Sequence, residues 1–118
     1  MLPVLLSEGV RRGRLTLLQA AAVVSYNTAR IFNLYPRKGT LLPGSDADLA
    51  VVDLGLARKV TPALLKSRSD FSLYEGQEIV GWPVLTMVRG TVLMADGEIV
   101  GEPGHGRYQT RFTEGKPS

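Results

Sequence analysis

The sequence contains no cysteine and a single histidine, His105. Without cysteine, the chain has neither a disulfide framework nor a thiolate metal site. A hydrolytic metal centre needs about three or four histidine or carboxylate ligands in one cleft, and a nucleophilic triad needs a histidine base beside serine or cysteine. One histidine supplies neither. Because glycines flank it, we expect His105 to make a loop contact and not to bind a metal.

Long apolar runs and a targeting signal are also missing. The N-terminal stretch MLPVLLSEGVRRG is too short to span a membrane, its arginines follow the apolar run, and it has no small-residue cleavage site. With 118 residues, 44% of them hydrophobic, the chain has the size of one domain with a modest core. We therefore expect a folded, cytoplasmic protein without a membrane partner.

The net charge of +3 is unevenly distributed. Residues 1–40 carry six Lys/Arg against Glu8 alone, whereas residues 41–118 carry eight against ten acidic residues. The basic cluster RRGR at residues 11–14 lacks the aromatic residues or recognisable module typical of a nucleic-acid surface. We interpret it as a solvated or subunit-facing patch, and we expect no nucleic-acid partner.

Up to residue 36 the hydrophobic pattern is helical. Leu2–Val10 is a short apolar helix candidate. Thr16 and Gln19 have capping-box spacing at the start of the run Leu17–Val24, which is apolar on all sides and therefore expected to be buried on most of them. Asn27 is predicted to cap a further turn or two that ends at Pro36.

After residue 36 the pattern is typical of strands and tight turns. Leu49–Asp53 is predicted to be a buried strand, and Pro83–Met94 contains two apolar runs joined by an Arg-Gly pair. Asp96 and Gly97 favour a type I′ turn, which needs positive φ at both central positions, so TVLM and EIV should pair antiparallel. Leu54–Gly81 is predicted to be a long, partly irregular excursion.

The stretch PGSDADL at residues 43–49 has two interpretations. Gly44 with its preceding proline favours a turn, Asp46 can bond nearby backbone N–H groups, and the segment then begins a strand. Asp46 and Asp48 would also point to the same side of a strand, as a dinuclear metal or acid–base site requires, but such sites need further ligands nearby. We interpret Gly44, Asp46 and Asp48 as a structural turn.

Three other features have mainly structural interpretations. Trp82 is expected to anchor the core or an edge of the sheet. Arg89 is expected to form a structural ion pair or to lie at the surface. The loop SRSDFSLYEG sets Phe71, Leu73 and Tyr74 among turn residues, which makes it the best candidate for a partner-facing loop.

The order of these motifs resembles the C-terminal portion of the dihydropyrimidinase/hydantoinase branch of the amidohydrolase superfamily. The resemblance covers nearly all of residues 2–111. PGSDADLAVVD alone is typical of amidohydrolases in general, whereas YPRKGT and YEGQEIVGWPVLTMVRG narrow the resemblance to the cyclic-amide branch. Allantoinases and dihydroorotases are close relatives of that branch.

The resemblance implies an α+β fold. Residues 1–36 match the closing helix of a (β/α)₈ barrel, residues 37–111 match the C-terminal strands of the small β-sandwich, or composite domain, that flanks the barrel, and residues 112–118 are expected to form a disordered tail.

The resemblance also implies which part of the enzyme holds the metals and the catalytic residues. Family members hydrolyse a cyclic amide or imide with two divalent metals, usually zinc, held by barrel residues that precede the matching segment. On this basis the chain contributes barrel closure, sandwich strands and assembly, holds no catalytic residue or cofactor, and is inactive alone. The alternative is a stand-alone β-sandwich module for interaction or scaffolding.

The helices of the family pack against a barrel, so their apolar faces need a partner. An uncovered apolar patch of several hundred Å² drives association. We therefore expect a homo-oligomer or a complex with the missing barrel. The expected interface residues are Leu17, Leu18, Val23, Val24, Phe71 and Tyr74.

Overall fold

The computed structural model describes residues 1–66 and 68–112. Helix α1 (residues 2–11) is an α-helical turn over Leu2–Val4 that continues as a π-helix over Leu5–Arg11. Helix α2 (residues 17–31) is continuous, with α-helical ends at Leu17–Ala21 and Asn27–Ile31 around a π-helical segment at Ala22–Tyr26. Two helices therefore precede the sheet.

The N-terminus of α2 has the predicted capping box. The Gln19 amide donates to Thr16 Oγ1 at 3.2 Å, and the Thr16 amide donates to Gln19 Oε1 at 2.8 Å. Two of the backbone N–H groups that a helix start leaves without partners are thereby satisfied.

Two predictions about the rest of α2 are wrong. Asn27 has helical dihedral angles (φ −64°, ψ −42°) and caps nothing, because the helix passes through it without interruption. The helix also ends before Pro36, since Asn33 adopts a left-handed conformation with φ 54°. The amides of Leu34 and Tyr35 then both donate to the Ala29 carbonyl, at 2.8 and 3.2 Å.

Four antiparallel strands form one sheet in the order β1-β2-β3-β4. Two tight turns join its last three strands, and the β3–β4 pair is the predicted hairpin of TVLM with EIV. The strands are β1 at Leu49–Lys59, β2 at Glu78–Val88, β3 at Thr91–Ala95 and β4 at Glu98–Ile99. The α+β prediction is confirmed.

The predicted irregular excursion is shorter than expected. Strand β1 continues six residues past Asp53, and β2 begins at Glu78, five residues before Pro83. In the described chain the irregular part is thus confined to residues 60–66 and 68–77, which include a 3₁₀-helix at Ala63–Leu65.

Strand β1 bulges in its middle. Asp53 Oδ1 accepts from the amides of Gly55 and Leu56, at 2.8 and 3.1 Å, while the pairing shifts from Asp53–Trp82 to Ala57–Val80. An aspartate that bonds local backbone groups in this way permits extra residues in one strand. The sequence does not signal this bulge.

The prediction that the strand Leu49–Asp53 is buried is wrong for this chain. Leu49 and Val52 are half-buried and the other three residues are exposed. A strand is buried only where a second layer covers it. Among the described residues no second layer lies over this part of the sheet.

The core lies where α1 packs on β2. Ile79 and Trp82 are buried together with Val60. The approach is close, because a Cβ added at Gly81 would lie 2.9 Å from Leu6 Cβ. Trp82 thus acts as the predicted core anchor, and its indole Nε1 donates to the Ile79 carbonyl at 2.7 Å.

Candidate functional site: a lysine-bridged aspartate pair

The loop after α2 folds back so that its two polar ends meet. The Asp46 amide donates to the Arg37 carbonyl at 2.9 Å, and Ser45 Oγ donates to the Pro36 carbonyl at 2.7 Å. Gly39 makes this fold possible, since its φ is 85° and a Cβ there would lie 2.5 Å from the Cβ of Ala29.

Lys38 bridges the two aspartates. Its Nζ lies 2.8 Å from Asp46 Oδ2 and also donates to Asp48 Oδ2. The second oxygen of Asp48 accepts from the Arg89 amide at 2.9 Å, and the Gly90 amide donates to the Ala47 carbonyl at 3.0 Å. The aspartate pair therefore ties the end of the helical segment to the β2–β3 turn.

The pKa values of the bridge reflect these partners. Burial alone would raise the pKa of Asp48, but hydrogen bonds from Lys38 and from the Arg89 amide outweigh burial and hold the pKa below its ordinary value. Burial would likewise lower the pKa of Lys38, and its hydrogen bonds to Asp46 and Asp48 outweigh that effect and raise it. Both partners are thus held in their charged forms.

The bridge has the chemistry of a structural ion pair. Three of the four carboxylate oxygens already accept: Asp46 Oδ2 and Asp48 Oδ2 from Lys38, and Asp48 Oδ1 from the Arg89 amide. Within residues 1–66 and 68–112, no three His, Cys, Asp or Glu side chains converge as a metal site requires. Asp46 and Asp48 could suggest a dinuclear metal centre. They instead form ion pairs with Lys38, and Asp48 also links the loop to the β2–β3 turn.

His105 contacts the β2–β3 turn. Its Nε2 lies 3.0 Å from the Val88 carbonyl, and Arg89 Nη2 donates to the His105 carbonyl. Both His105 and Arg89 therefore make backbone contacts at the turn.

Three of the five predicted turn residues have a left-handed backbone conformation, and Asp46 and Asp48 do not. Gly44 has φ 91°, Asp96 has φ 51° and Gly97 has φ 87°. A positive φ at both central positions of the β3–β4 turn is what a type I′ turn needs.

The predicted interface residues do not form one surface site. Leu17, Leu18 and Val23 are 49%, 83% and 51% exposed on α2, and Val24 is half-buried. The sequence predicts that Leu17–Val24 is buried on most sides. This prediction is wrong within the described chain, where Ala20 is the one buried residue between Leu17 and Tyr26. Their role in an interface stays a prediction.

The other two predicted interface residues lie in the loop after the 3₁₀-helix. Phe71 is exposed, and Tyr74 lines an apolar cavity of about 300 Å³ beside Val4, Ile79 and Trp82. Because the Trp82 N–H already has a partner, the indole presents only apolar surface to this cavity.

Sequence reasoning missed Lys38 and Ser7. Ser7 is buried in α1, where its Oγ accepts from the Val80 amide at 3.3 Å. No sequence signal identifies Ser7, because a serine in a helix is ordinarily solvated. Lys38 could have been found, since it is the cation nearest in sequence before two aspartates that need a counter-charge.

The chain is similar in sequence to one family of known proteins. The amidohydrolase family profile matches residues 2–93. The chain is 44% identical over 110 residues to the L-hydantoinase of Paenarthrobacter aurescens and 38% identical over 112 residues to the D-hydantoinase of Geobacillus stearothermophilus. These matches cover 93% and 95% of this chain and 24% of each relative.

The solved structures agree. The dihydropyrimidinase from Brevibacillus agri NCHU1002 superposes with a TM-score of 0.91 at 33% identity, covering 98% of this chain and 25% of that chain. The L-hydantoinase from Arthrobacter aurescens superposes with a TM-score of 0.88 at 44% identity, covering 92% of this chain and 24% of that chain.

The chain therefore belongs to the amidohydrolase family. Within that family, its relatives at 35–44% identity define the hydantoinase and dihydropyrimidinase branch, as the sequence motifs predicted. The chain spans about a quarter of the length of the curated relatives that it matches. In the described part of the chain, no helix is long and apolar enough to cross a membrane.

Proposed function

We propose that this chain is the C-terminal part of a metal-dependent cyclic amidohydrolase of the hydantoinase type, which hydrolyses C–N bonds in cyclic amides. In this proposal the chain contributes structure and assembly and supplies no catalytic residue. The proposal rests on the family membership and on the share of each relative that the chain matches, 24%.

The observation that carries the structural role is the exposed apolar surface of α2. Leu18 is 83% exposed and Ile31 is 76% exposed, although a capped helix this apolar is normally packed. In the proposal this surface closes a (β/α)₈ barrel formed by the rest of the enzyme. The half-covered sheet is then one part of a β-sandwich completed by further strands.

The proposed metals belong to the rest of the enzyme. The two aspartates that resemble ligands already bond to Lys38 and the Arg89 amide, so this aspartate pair does not fit a metal centre. Zinc would therefore be held by barrel residues outside this segment, as in the family.

The test is metal analysis and activity of the purified chain. We expect no stoichiometric zinc after dialysis, and no hydrolysis of hydantoin or dihydrouracil above background. The D-hydantoinase of Geobacillus stearothermophilus, carried through the same steps, is the positive control. One or two tightly held zinc ions per chain, or measurable turnover, would defeat the proposal.

A further inference from the structure

The last described segment crosses the molecule without regular secondary structure. Residues 101–112, which we call the strap, leave β4 and end beside the C-terminus of α2. At its start, the amides of Gly101 and of the preceding residue Val100 both donate to the Leu93 carbonyl, at 3.2 and 3.0 Å. It then contacts the molecule at two more places.

The first contact is at the β2–β3 turn. Arg89 Nη2 donates to the His105 carbonyl, and His105 Nε2 meets the Val88 carbonyl at 3.0 Å. Arg89 and His105 are both partly buried by these contacts. The strap is thereby held at its middle by one side chain from each partner.

The second contact is at the end of α2. Arg37 Nη1 donates to Gln109 Oε1 at 3.3 Å, and its guanidinium carbon lies 4.8 Å from the centroid of the Phe112 ring. The Phe112 amide donates to the Asn33 carbonyl at 2.7 Å. Asn33 is the left-handed residue that ends the helix, so the strap occupies a carbonyl that the helix leaves free.

These contacts close on themselves through the lysine bridge. Arg37 donates a hydrogen bond to the strap, and the next residue, Lys38, forms an ion pair with Asp48. Asp48 in turn accepts a hydrogen bond from the Arg89 amide. Arg89 then holds the strap again at His105. We call the six residues of this closed path the polar ring; they are Arg37, Lys38, Asp48, Arg89, His105 and Gln109.

We propose that the polar ring is a latch, in which the Lys38–Asp48 bridge determines whether the strap stays closed on the end of α2. Without the lysine charge, Asp46 and Asp48 repel each other at short range. The Arg89 amide then loses its fixed acceptor, and the guanidinium that holds His105 loses its position. The strap opens although no strap residue has changed.

The latch is distinct from the metal chemistry proposed for the whole enzyme, because all of its residues lie in this chain. Groups that share one hydrogen-bond network show coupled effects, whereas independent contacts add. Coupling between Lys38 and His105, which share no direct contact, is therefore the property that separates a latch from a set of unrelated bonds.

The experiment is amide hydrogen exchange of the chain, read at Phe112. We expect Lys38→Met and His105→Ala each to speed exchange of the Phe112 amide at least about tenfold, because each opens the strap locally. The double variant should exchange no faster than the faster single variant. Lys66→Met is the matched control, since Lys66 is exposed and lies 3.9 Å from Glu98; it should leave Phe112 unchanged.

The Val80 amide serves as an internal reference, because it is bonded to buried Ser7 in the core. If Lys38→Met leaves Phe112 exchange unchanged, or if the two substitutions multiply their effects, the strap is independent of the bridge and the latch is refuted. An equal rise at Val80 would refute it too, since the ring would then open only when the whole chain unfolds.

Discussion

Gly97 shows how a single residue can be required for two reasons. It lies in the β3–β4 turn at φ 87°, and a Cβ there would lie 3.0 Å from Arg58 Nη1. A β-branched residue is strained at this φ and would also displace the arginine. The left-handed backbone is the main constraint at this position, because the tip of the Arg58 side chain can move aside.

We expect Gly97→Val to lower the free energy of unfolding by about 1–3 kcal/mol. Gly106→Val is the matched control, because Gly106 has open space around its Cβ and no left-handed φ. Urea denaturation of both variants is the measurement. Equal midpoints for Gly97→Val and the unmodified chain would show that the turn does not need a glycine.

Asp48 makes the folding stability of the chain depend on pH. Its pKa in the folded chain lies below the ordinary value of 3.8, because Lys38 and the Arg89 amide outweigh the effect of burial. A carboxyl group with a lowered folded pKa contributes stability above its unfolded pKa, and this contribution is lost as the pH falls through the folded value.

We therefore expect the stability lost in Asp48→Asn to be largest above about pH 5 and to shrink as the pH falls below about 4. Denaturation of both proteins at several pH values measures this difference. Asp70→Asn, at an exposed position, corrects for general charge effects. A difference between Asp48→Asn and the unmodified chain that stays constant with pH would contradict the bridge.

The chemical character of this site was predictable, and Lys38 could have been identified as a nearby cation, but the contact with Arg89 was not predictable. Turn-forming residues around Asp46 identify a structural role from the sequence alone. The contact with Lys38 depends on how the preceding loop folds back, and the contact with Arg89 joins positions 41 residues apart. The Arg89 contact follows from tertiary packing and leaves no local pattern in the sequence.

At the scale of elements, capping residues and tight turns were the most predictive signals. Thr16 and Gln19 fix the start of α2, and two residues with positive φ fix the β3–β4 turn. Boundaries inside apolar runs were less predictable. Asn27 resembles a cap in sequence, yet the helix continues through it because tertiary packing of Ala29 outweighs this local preference.

Strand β1 illustrates the same limit. A β-branched run predicts a buried strand, but burial depends on a covering layer that a local pattern does not specify. The Asp53 bulge then lets the strand run on to Lys59 beyond the glycine at position 55. The predicted end of the strand at Asp53 was therefore too early.

Helix α2 can be tested through its cap. Thr16→Ala removes the acceptor of the Gln19 amide, and we expect the free energy of unfolding to fall by about 1 kcal/mol. Thr16→Ser keeps the hydroxyl group and should retain most of that stability. Thermal denaturation followed by circular dichroism compares the two variants. Equal losses in both would show that the hydroxyl group does not stabilise the helix.

At the scale of the whole molecule, the apolar face of α2 has the largest consequence. Leu17, Leu18 and Val23 are all about half exposed or more. Apolar surface that water can reach drives association when a second copy can cover it. In the proposed enzyme the rest of the protein would cover this face, and in the isolated chain we expect another copy to cover it.

We therefore predict that the isolated chain is a homodimer or larger at micromolar concentration, and that Leu18→Asp shifts it towards the monomer. Leu41→Asp is the matched control, because Leu41 is equally exposed but lies in a loop outside α2. Light scattering gives the mass of each protein. A soluble monomer for the unmodified chain would mean that α2 needs no partner, and would favour a stand-alone module.

We propose that this chain is a structural part of a cyclic amidohydrolase, and a chimera is the sharpest test of that role. The chain replaces the matching quarter of the Geobacillus stearothermophilus D-hydantoinase, and hydantoin hydrolysis is measured beside bound zinc. We predict a zinc-containing, active chimera, and loss of activity when Leu18→Asp is introduced into it. A chimera that folds by circular dichroism but neither holds zinc nor hydrolyses hydantoin would contradict the claim.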